Sequence, residues 1–474
     1  EAKSPKLHAV MLSLGFQGHM TPFFNLAITV ASKGITVTLV QLEHIRHQLS
    51  QAHGPLVDPF AAARDSGLDI RCTTMSDGFD VDFDRQLRFV EYGEKLLDGF
   101  EEHLYEFLGE LLVGFQSPDW VNFLVADTLY ASATNAARKC GIPSVSFWTE
   151  PALVFHMVYH VELLRENGHY PCKDDLKEEI TYLPGISSIN TEDLLTALRE
   201  SEASGIISRF LIKSFQDVRN ADFILYNTVQ ELEESVLSVL NRHQPGYAIG
   251  PINFSEKALS LNIEGKSLWS VSDCTGWLDS KPPGSVLYVS FGSYINTSKE
   301  LMDELAHGLL LGEVNFVWAV RTGILINGEA YSFPDGFEEK IKDKGLIIPW
   351  SNQLEVLSNP AVGGFLTHNG WNSTVESIWY GVPMICFPFT FDQPVNRKLV
   401  VDDWKIGINL SEDGSLERKR VAEKINSLFY DEEISSSLKK RMKELKGIVH
   451  DAFQVGGSSR RNFDKFLQDL KKKV

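Results

Sequence analysis

Between Trp350 and Gln393 the chain reads WSNQLEVLSNPAVGGFLTHNGWNSTVESIWYGVPMICFPFTFDQ. This stretch gathers side chains suited to holding an anion. An apolar run is followed by the turn His368-Asn369-Gly370, and a helical pattern opens at Trp371. The unpaired amides that begin a helix, with the positive end of its dipole, hold a phosphate. Asn372 and Ser373 fall in the first turn, and Glu376 lies one turn after Asn372 on the same face. Trp350, Gln353, Asp392 and Gln393 stand at the ends of the block, and Ser293 follows Gly292 in another strand-to-loop turn. Aromatic, amide, carboxylate and phosphate-binding groups together are what a nucleotide diphosphate requires.

A second constellation lies near the start, in Gly15-Phe16-Gln17-Gly18-His19. A histidine titrates near pH 6.5 and can take a proton from a hydroxyl at neutral pH. Gly18 lets a substrate approach the backbone closely. Asp127, after the apolar run Phe123–Ala126, would fix the imidazole tautomer and stabilise the imidazolium. Spacing alone leaves other readings open: His19 as a helix-end cap, and Asp127 as a cap that Thr128 could equally supply.

These residues need a scaffold that brings strand ends together. Short β-rich runs alternate with helical patterns, which predicts an α/β fold with parallel sheets. The runs are Leu7–Leu14, Ile35–Gln41, Phe123–Ala126, Ser144–Phe147 and Phe223–Tyr226, then Val286–Phe291, Phe316–Val320, Leu346–Ile348, Gly363–Leu366 and Pro383–Phe387. A helix is expected to open at Thr21 as N-cap with Pro22 at its first position, and to stop before Gly34. His19, Asp127, Trp148, Thr149, Ser293, Trp350, His368 and Asp392 all follow strands. Ligands of open α/β sheets bind beyond the carboxyl ends of the strands.

The composition excludes some partners. Of 474 residues, 63 are Asp or Glu and 45 Lys or Arg, a net charge of −18, which argues against nucleic acid and anionic membrane. The five cysteines form no C-x-x-C pair, as expected of free thiols in a reducing compartment. No run is apolar enough to span a bilayer and no signal-type segment stands out, so a cytoplasmic location is expected. Asp82-Phe83-Asp84 has metal-binding spacing but lies in an acidic loop. His156 and His160 lack the Glu of a zinc protease motif, and either line a substrate pocket or pack in a helix opening at Pro151. No G-x-G-x-x-G supports NAD binding.

The 350–393 block resembles the signature box of the plant family 1, UDP-sugar-dependent glycosyltransferases. It matches in length, terminal Trp and Gln, His-x-Gly-Trp-Asn-Ser core, Glu and closing Asp-Gln. Asn352 and Asn369 depart from it, standing where Pro and Cys are common. The resemblance runs from Gly15–His19 to Gly456-Gly457-Ser458-Ser459. It implies the GT-B arrangement, two Rossmann-like domains with parallel sheets facing across a cleft. The expected organisation is an acceptor-binding domain at 1–252, a linker at 253–282, a UDP-sugar-binding domain at 283–455, and a C-terminal helix at 456–474 returning to the first domain.

The same resemblance implies an inverting transfer, most often of glucose, from a UDP-sugar to a hydroxyl of a small lipophilic plant metabolite such as a phenolic or terpenoid. His19 is the implied base and Asp127 its partner. Trp350 stacks on uracil, with Gln353 near the ribose or base. His368, Gly370, Asn372, Ser373 and Ser293 meet the diphosphate, and Glu376 the ribose hydroxyls. Asp392 and Gln393 bind the sugar, with Trp371 and Thr149 nearby. Phe16, Trp148 and His156 are expected at the acceptor. No metal is expected; the UDP-sugar is a co-substrate, and the chain is expected to act as a monomer. The alternatives are a sugar-nucleotide epimerase of the same fold and a non-catalytic UDP-sugar-binding protein.

Overall fold

The structure, a computed structural model, describes residues 5–172, 177–200, 204–261 and 267–473. Five residues of the expected linker, 262–266, lie outside the described residues. Contacts group the chain into two compact units, Glu1–Trp269 with Ala452–Val474, and Ser270–Asp451.

In the first unit the strands inside the large sheet are buried on both faces, as strands covered by helices on both sides must be, and the described residues form nine strands in all. They are β1 (Lys6–Leu12), β2 (Thr36–Leu42), β3 (Ile70–Met75), β4 (Trp120–Asp127), β5 (Ser144–Trp148), the short pair β6 (Glu179–Ile180) and β7 (Ile189–Asn190), then β8 (Phe223–Tyr226) and β9 (Gly246–Ala248). Among the described residues, seven strands pair in the order β3-β2-β1-β4-β5-β8-β9, and β6 and β7 form a separate antiparallel pair. Each neighbouring pair in the large sheet is parallel. One polar residue, His8, lies fully buried in β1. Its Nδ1 donates to Asn122 Oδ1 on β4 at 2.8 Å, and its Nε2 meets the Thr38 hydroxyl on β2 at 2.8 Å.

The second unit repeats this pattern with β10 (Val286–Ser290), β11 (Asn315–Ala319), β12 (Gly345–Ile348), β13 (Val362–Thr367), β14 (Met384–Cys386) and β15 (Gly407–Asn409). They form a parallel six-stranded sheet ordered β12-β11-β10-β13-β14-β15. Each unit has its own apolar core. Two Rossmann-like units of this kind make up the GT-B class, in accord with the expectation from sequence.

In both sheets the strand order reverses beside the first strand. β1 lies between β2 and β4, with Leu12 paired to Ala126; β10 lies between β11 and β13, with Ser290 paired to Thr367. The loops after the two central strands diverge at such a point and leave a crevice at the carboxyl edge.

The helices that matter for function are α1 (Gln17–Ala31), α2 (Ala133–Lys139), α3 (Ala152–Tyr159), α4 (Gln353–Ser358), α5 (Trp371–Tyr380), α6 (Gln393–Lys398) and α7 (Ser458–Lys473). Here α1 corrects the sequence reading. It begins at Gln17 with Phe16 as N-cap, so Thr21 is not the cap and Pro22 sits inside the helix. The amides of His19 and Met20 already reach the Phe16 carbonyl at 2.9 Å, and Gln17 Nε2 donates to Thr21 Oγ1 at 2.8 Å. Pro22 deprives the helix of one bond, to the Gly18 carbonyl one turn back. The last helix, α7, packs Phe466 against Tyr247 of the edge strand β9, and the Tyr247 hydroxyl donates to Asp469 at 2.8 Å.

Candidate active site

His19 is in the first turn of α1 rather than in a loop before it. Its Nδ1 lies 2.7 Å from Asp127 Oδ2, at the last residue of β4. The other carboxylate oxygen accepts the Leu129 amide at 3.0 Å. Asp127 is therefore held at both oxygens, with its side chain only 1% exposed, while that of His19 is 14% exposed. A carboxylate accepts, so Nδ1 carries the hydrogen and Nε2 is left with its lone pair. Thr149 Oγ1 lies 3.0 Å from the same Nδ1. Thr149 was expected near the donor sugar; the structure places it against the imidazole. The Phe16 ring stands edge-on to His19 at 6.2 Å between centroids.

Two buried carboxylates hold the helices that follow β4 and β5. Asp217 accepts the amides of Thr134 and Asn135 at the start of α2, at 2.9 and 3.2 Å. Glu233 accepts those of Ala152 and Leu153 at the start of α3, at 2.9 and 2.7 Å. Neither helix has a capping side chain of its own, so these distant acids satisfy the open amides. Burial raises both carboxyl groups above their ordinary values.

Trp148 and His156, expected at the acceptor, are core side chains instead. Trp148 is 2% exposed, donates its indole N–H to the Pro151 carbonyl at 2.8 Å, and packs edge-on against Phe155 and Phe215. His156 is fully buried and lies against the His160 ring; burial pulls its imidazole down to about 3, so it is neutral at pH 7. The run Ala152–Tyr159 is apolar apart from His156, and every side of α3 is buried. In the Asp82-Phe83-Asp84 stretch, Asp84 Oδ1 accepts the amides of Gln86 and Leu87, at 3.0 and 2.8 Å, as a turn residue does.

In the second unit, His368 follows β13 and Gly292 follows β10. A Cβ on Gly292 would lie 2.6 Å from the His368 ring, and one on Gly370 would lie 2.5 Å from it. The imidazole thus occupies a slot that exists because two glycines flank it. Burial pulls it down to about 4, so it is neutral in the free protein at pH 7. Asn369 takes the left-handed backbone conformation, φ 62°, that lets the chain turn into α5. Gly370 is the N-cap of α5 and has no side chain to bond its first amides, nor does an acidic residue stand in the first turn. At the far end of α5, Lys446 donates to the Tyr380 carbonyl at 3.1 Å and His450 to that of Trp379 at 2.9 Å, which satisfies two carbonyls of the helix C-terminus.

A polar network crosses from α4 to α5. Gln353 Nε2 donates to Ser373 Oγ at 3.0 Å and to Glu376 Oε2 at 2.8 Å. Glu376 is buried. Trp350 is half-buried after β12, and Ser293 half-buried beside Gly292. Trp371 is buried, with Trp404 6.2 Å away between centroids. Asp392 is the N-cap of α6. Gln393 Oε1 accepts the Phe389 and Thr390 amides at 2.8 and 3.0 Å. Among the described residues its Nε2 has no partner.

Sequence reasoning missed Asp217, Glu233 and the pairing of Thr149 with His19, since none carries a local pattern. The glycine slot was legible only as two glycines near a histidine.

Known proteins similar to this chain cover nearly its whole length. A profile of the family described as UDP-glucoronosyl and UDP-glucosyl transferase matches residues 273–451. The chain is 46% identical to UDP-glycosyltransferase 86A2 of Arabidopsis thaliana over 99% of its own length and 95% of the relative's. It is 34% identical to 7-deoxyloganetin glucosyltransferase of Gardenia jasminoides, over 98% of each chain. Its structure is similar to that of Os79 from O. sativa in complex with UDP, with a TM-score of 0.80 and 25% identity over 98% and 100% of the two chains.

Proposed function

This chain belongs to the plant family 1 UDP-dependent glycosyltransferases, and from that premise we propose that it moves glucose from UDP-glucose to a hydroxyl of a small lipophilic metabolite with inversion at the anomeric carbon. It is a hexosyltransferase that uses a UDP-sugar; the sugar, the acceptor class and the residue roles are our reading. The observation that carries it is the His19–Asp127 pair at 2.7 Å, with Nε2 left as the base. Neither the epimerase nor the binding-protein alternative is favoured by the relatives found.

In this mechanism Nε2 of His19 takes the proton from the acceptor hydroxyl. The oxygen attacks the anomeric carbon from the face opposite UDP, the bond from that carbon to the phosphate oxygen breaks, and UDP leaves with the electron pair. An α-linked donor gives a β-glycoside. Asp127 stabilises the imidazolium formed. The leaving diphosphate is received by the open amides of α5, Ser293, Asn372, Ser373 and His368, with no metal required in this reading. Trp350 and Gln353 take the base, Glu376 the ribose, and Asp392 and Gln393 the sugar.

Relatives in several plants are named for glucosylating 7-deoxyloganetin and (R)-mandelonitrile, and a similar solved structure holds pterostilbene. These compounds, with further phenols and terpenoid alcohols, make a panel to test with UDP-glucose, UDP-galactose and UDP-glucuronate, products being identified by mass and linkage. The expected result is a β-glucoside of at least one member. H19A should bind UDP normally and lose turnover by about 10²–10⁴-fold. Undiminished turnover in H19A would refute the assignment of the base, and UDP-glucose turnover without acceptor would favour the epimerase.

A further inference from the structure

Asn396, in α6, is fully buried and belongs to no part of the 350–393 block. Its single Nδ2 donates to two acceptors: the main-chain carbonyl of Asn369 at 2.8 Å, and Asp392 Oδ2 at 2.6 Å. Both partners only accept, so the orientation of the amide is fixed by chemistry. Its own Oδ1 is buried with no partner among the described residues. An apolar side chain would avoid that cost; what the amide supplies in return is its two hydrogens.

Those hydrogens tie together two loops of different function. Asn369 separates His368 from the start of α5, and Asp392 is on the loop between β14 and α6. Both loops contain left-handed backbone outside glycine, at Asn369 (φ 62°) and at Phe391 (φ 58°), next to Asp392. Such conformations persist where surrounding bonds over-determine them. The Asn369 loop has further anchors, its N–H to Thr367 Oγ1 at 3.1 Å and its Nδ2 to Cys386 Sγ at 3.2 Å.

We propose that Asn396 is a positioning residue that sets the Asp392 carboxylate at a fixed distance from the diphosphate loop, and so governs which donor sugar is accepted. This rests on the reading of Asp392 as a sugar ligand. A sugar held at one end by its phosphate and at the other by Asp392 is measured between these two points. Moving one by a few tenths of an ångström weakens hydrogen bonds to the ring hydroxyls and leaves the uridine contacts alone.

The test uses the full chain, UDP-glucose and UDP-galactose, and the best acceptor of the panel above. N396A, and N396S with one hydroxyl hydrogen for two acceptors, should lower kcat/KM for UDP-glucose by about ten- to a hundredfold, the range for a lost hydrogen bond to a charged group. The preference for UDP-glucose over UDP-galactose should fall with it, in the same direction as in D392A. UDP affinity, measured by calorimetry, should change by less than about threefold, because the Asn369 loop keeps its other anchors. If D392A leaves sugar preference intact, the sugar-ligand reading fails. If D392A alters preference and the Asn396 variants do not, this inference alone fails. It fails too if both variants lose UDP affinity as severely as UDP-glucose turnover, which is what general misfolding would give.

Discussion

Replacing Asp127 by asparagine keeps the shape of the side chain and changes one atom, and the structure says which one. Oδ1 accepts the Leu129 amide at 3.0 Å and Oδ2 faces His19 Nδ1 at 2.7 Å. An asparagine here satisfies Leu129 only with its oxygen, so its NH2 group points at Nδ1. Nδ1 must then accept, the ring hydrogen moves to Nε2, and the base has no lone pair for the acceptor hydroxyl. Restoring the working tautomer requires flipping the amide and leaving the buried Leu129 N–H unpaired, at about 1–3 kcal/mol. Alanine behaves differently. It loses the charge-assisted bond, about 1.5–3 kcal/mol, but Thr149 Oγ1 at 3.0 Å can still accept from Nδ1 and hold the productive tautomer. D127A should therefore lose about ten- to a hundredfold in kcat, and D127N roughly a further tenfold. The assay is initial-rate glucoside formation at pH 7.5 with saturating UDP-glucose, with UDP binding as the control for folding. D127N turning over as fast as D127A would refute the tautomer argument.

Other consequences follow from the same geometry. G292A and G370A each place a methyl group within 2.6 Å of the His368 ring, so each should weaken UDP binding by at least about tenfold, as overpacking of roughly 1–3 kcal/mol implies; calorimetry would show it. His368, held to about 4 by burial, binds a proton more readily once a diphosphate lies beside it. The complex then holds more protons than the free protein, so UDP affinity should rise as pH falls from 7 to 5 more steeply than in H368Q. Burial also lowers the imidazoles of His8 and His44 from 6.5. The unfolded chain binds protons there first, so stability is intact above about pH 6.5 and falls as pH drops below it. The melting temperature of H8Q should depend less on pH between 7 and 5 than that of the wild type. Burial raises the Asp77 carboxyl, but bonds from Arg85 and His44 outweigh it and hold the group well below its ordinary 3.8. Its stabilising effect is present above that value and lost as pH falls below it. R85M should therefore lower the melting temperature at pH 7 and narrow the gap between pH 5 and pH 3.

What could be read from sequence was what periodicity and local chemistry encode. The buried strands β1, β2, β4, β5 and β8 were legible because apolar residues on both faces leave continuous runs. β3 was not: its centre, Arg71-Cys72-Thr73-Thr74, is partly exposed on the sheet edge. β9 and β15 are three residues long, too short for any period. The start of α1 was misplaced because Pro22 looks like a first-turn residue, while the bonds that begin the helix at Phe16 involve main chain and Gln17. Trp148 and His156 were expected at the acceptor from the family resemblance, and only packing shows them buried.

The two switch points show why strand-end position finds a site without stating its chemistry. Each sheet reverses beside its central strand, so each offers a crevice flanked by two loops. In the first unit the crevice holds a carboxylate at the end of β4 facing an imidazole at the start of α1, an arrangement that strengthens a base. In the second, the loop after β13 presents no carboxylate to the imidazole; the ring is wedged between glycines and stays neutral, beside a helix start with no capping side chain. On the proposed reading, a neutral donor and open amides suit an anion that must arrive and leave, whereas a fixed carboxylate there would repel the diphosphate. Placing an aspartate at the cap of α5, as G370D, should therefore abolish UDP binding, both by filling the slot of His368 and by satisfying the amides from within. G370S separates the two effects: it adds a methylene and a neutral cap, and should bind UDP better than G370D in calorimetry if charge contributes. Equal loss in the two would show that the slot alone decides.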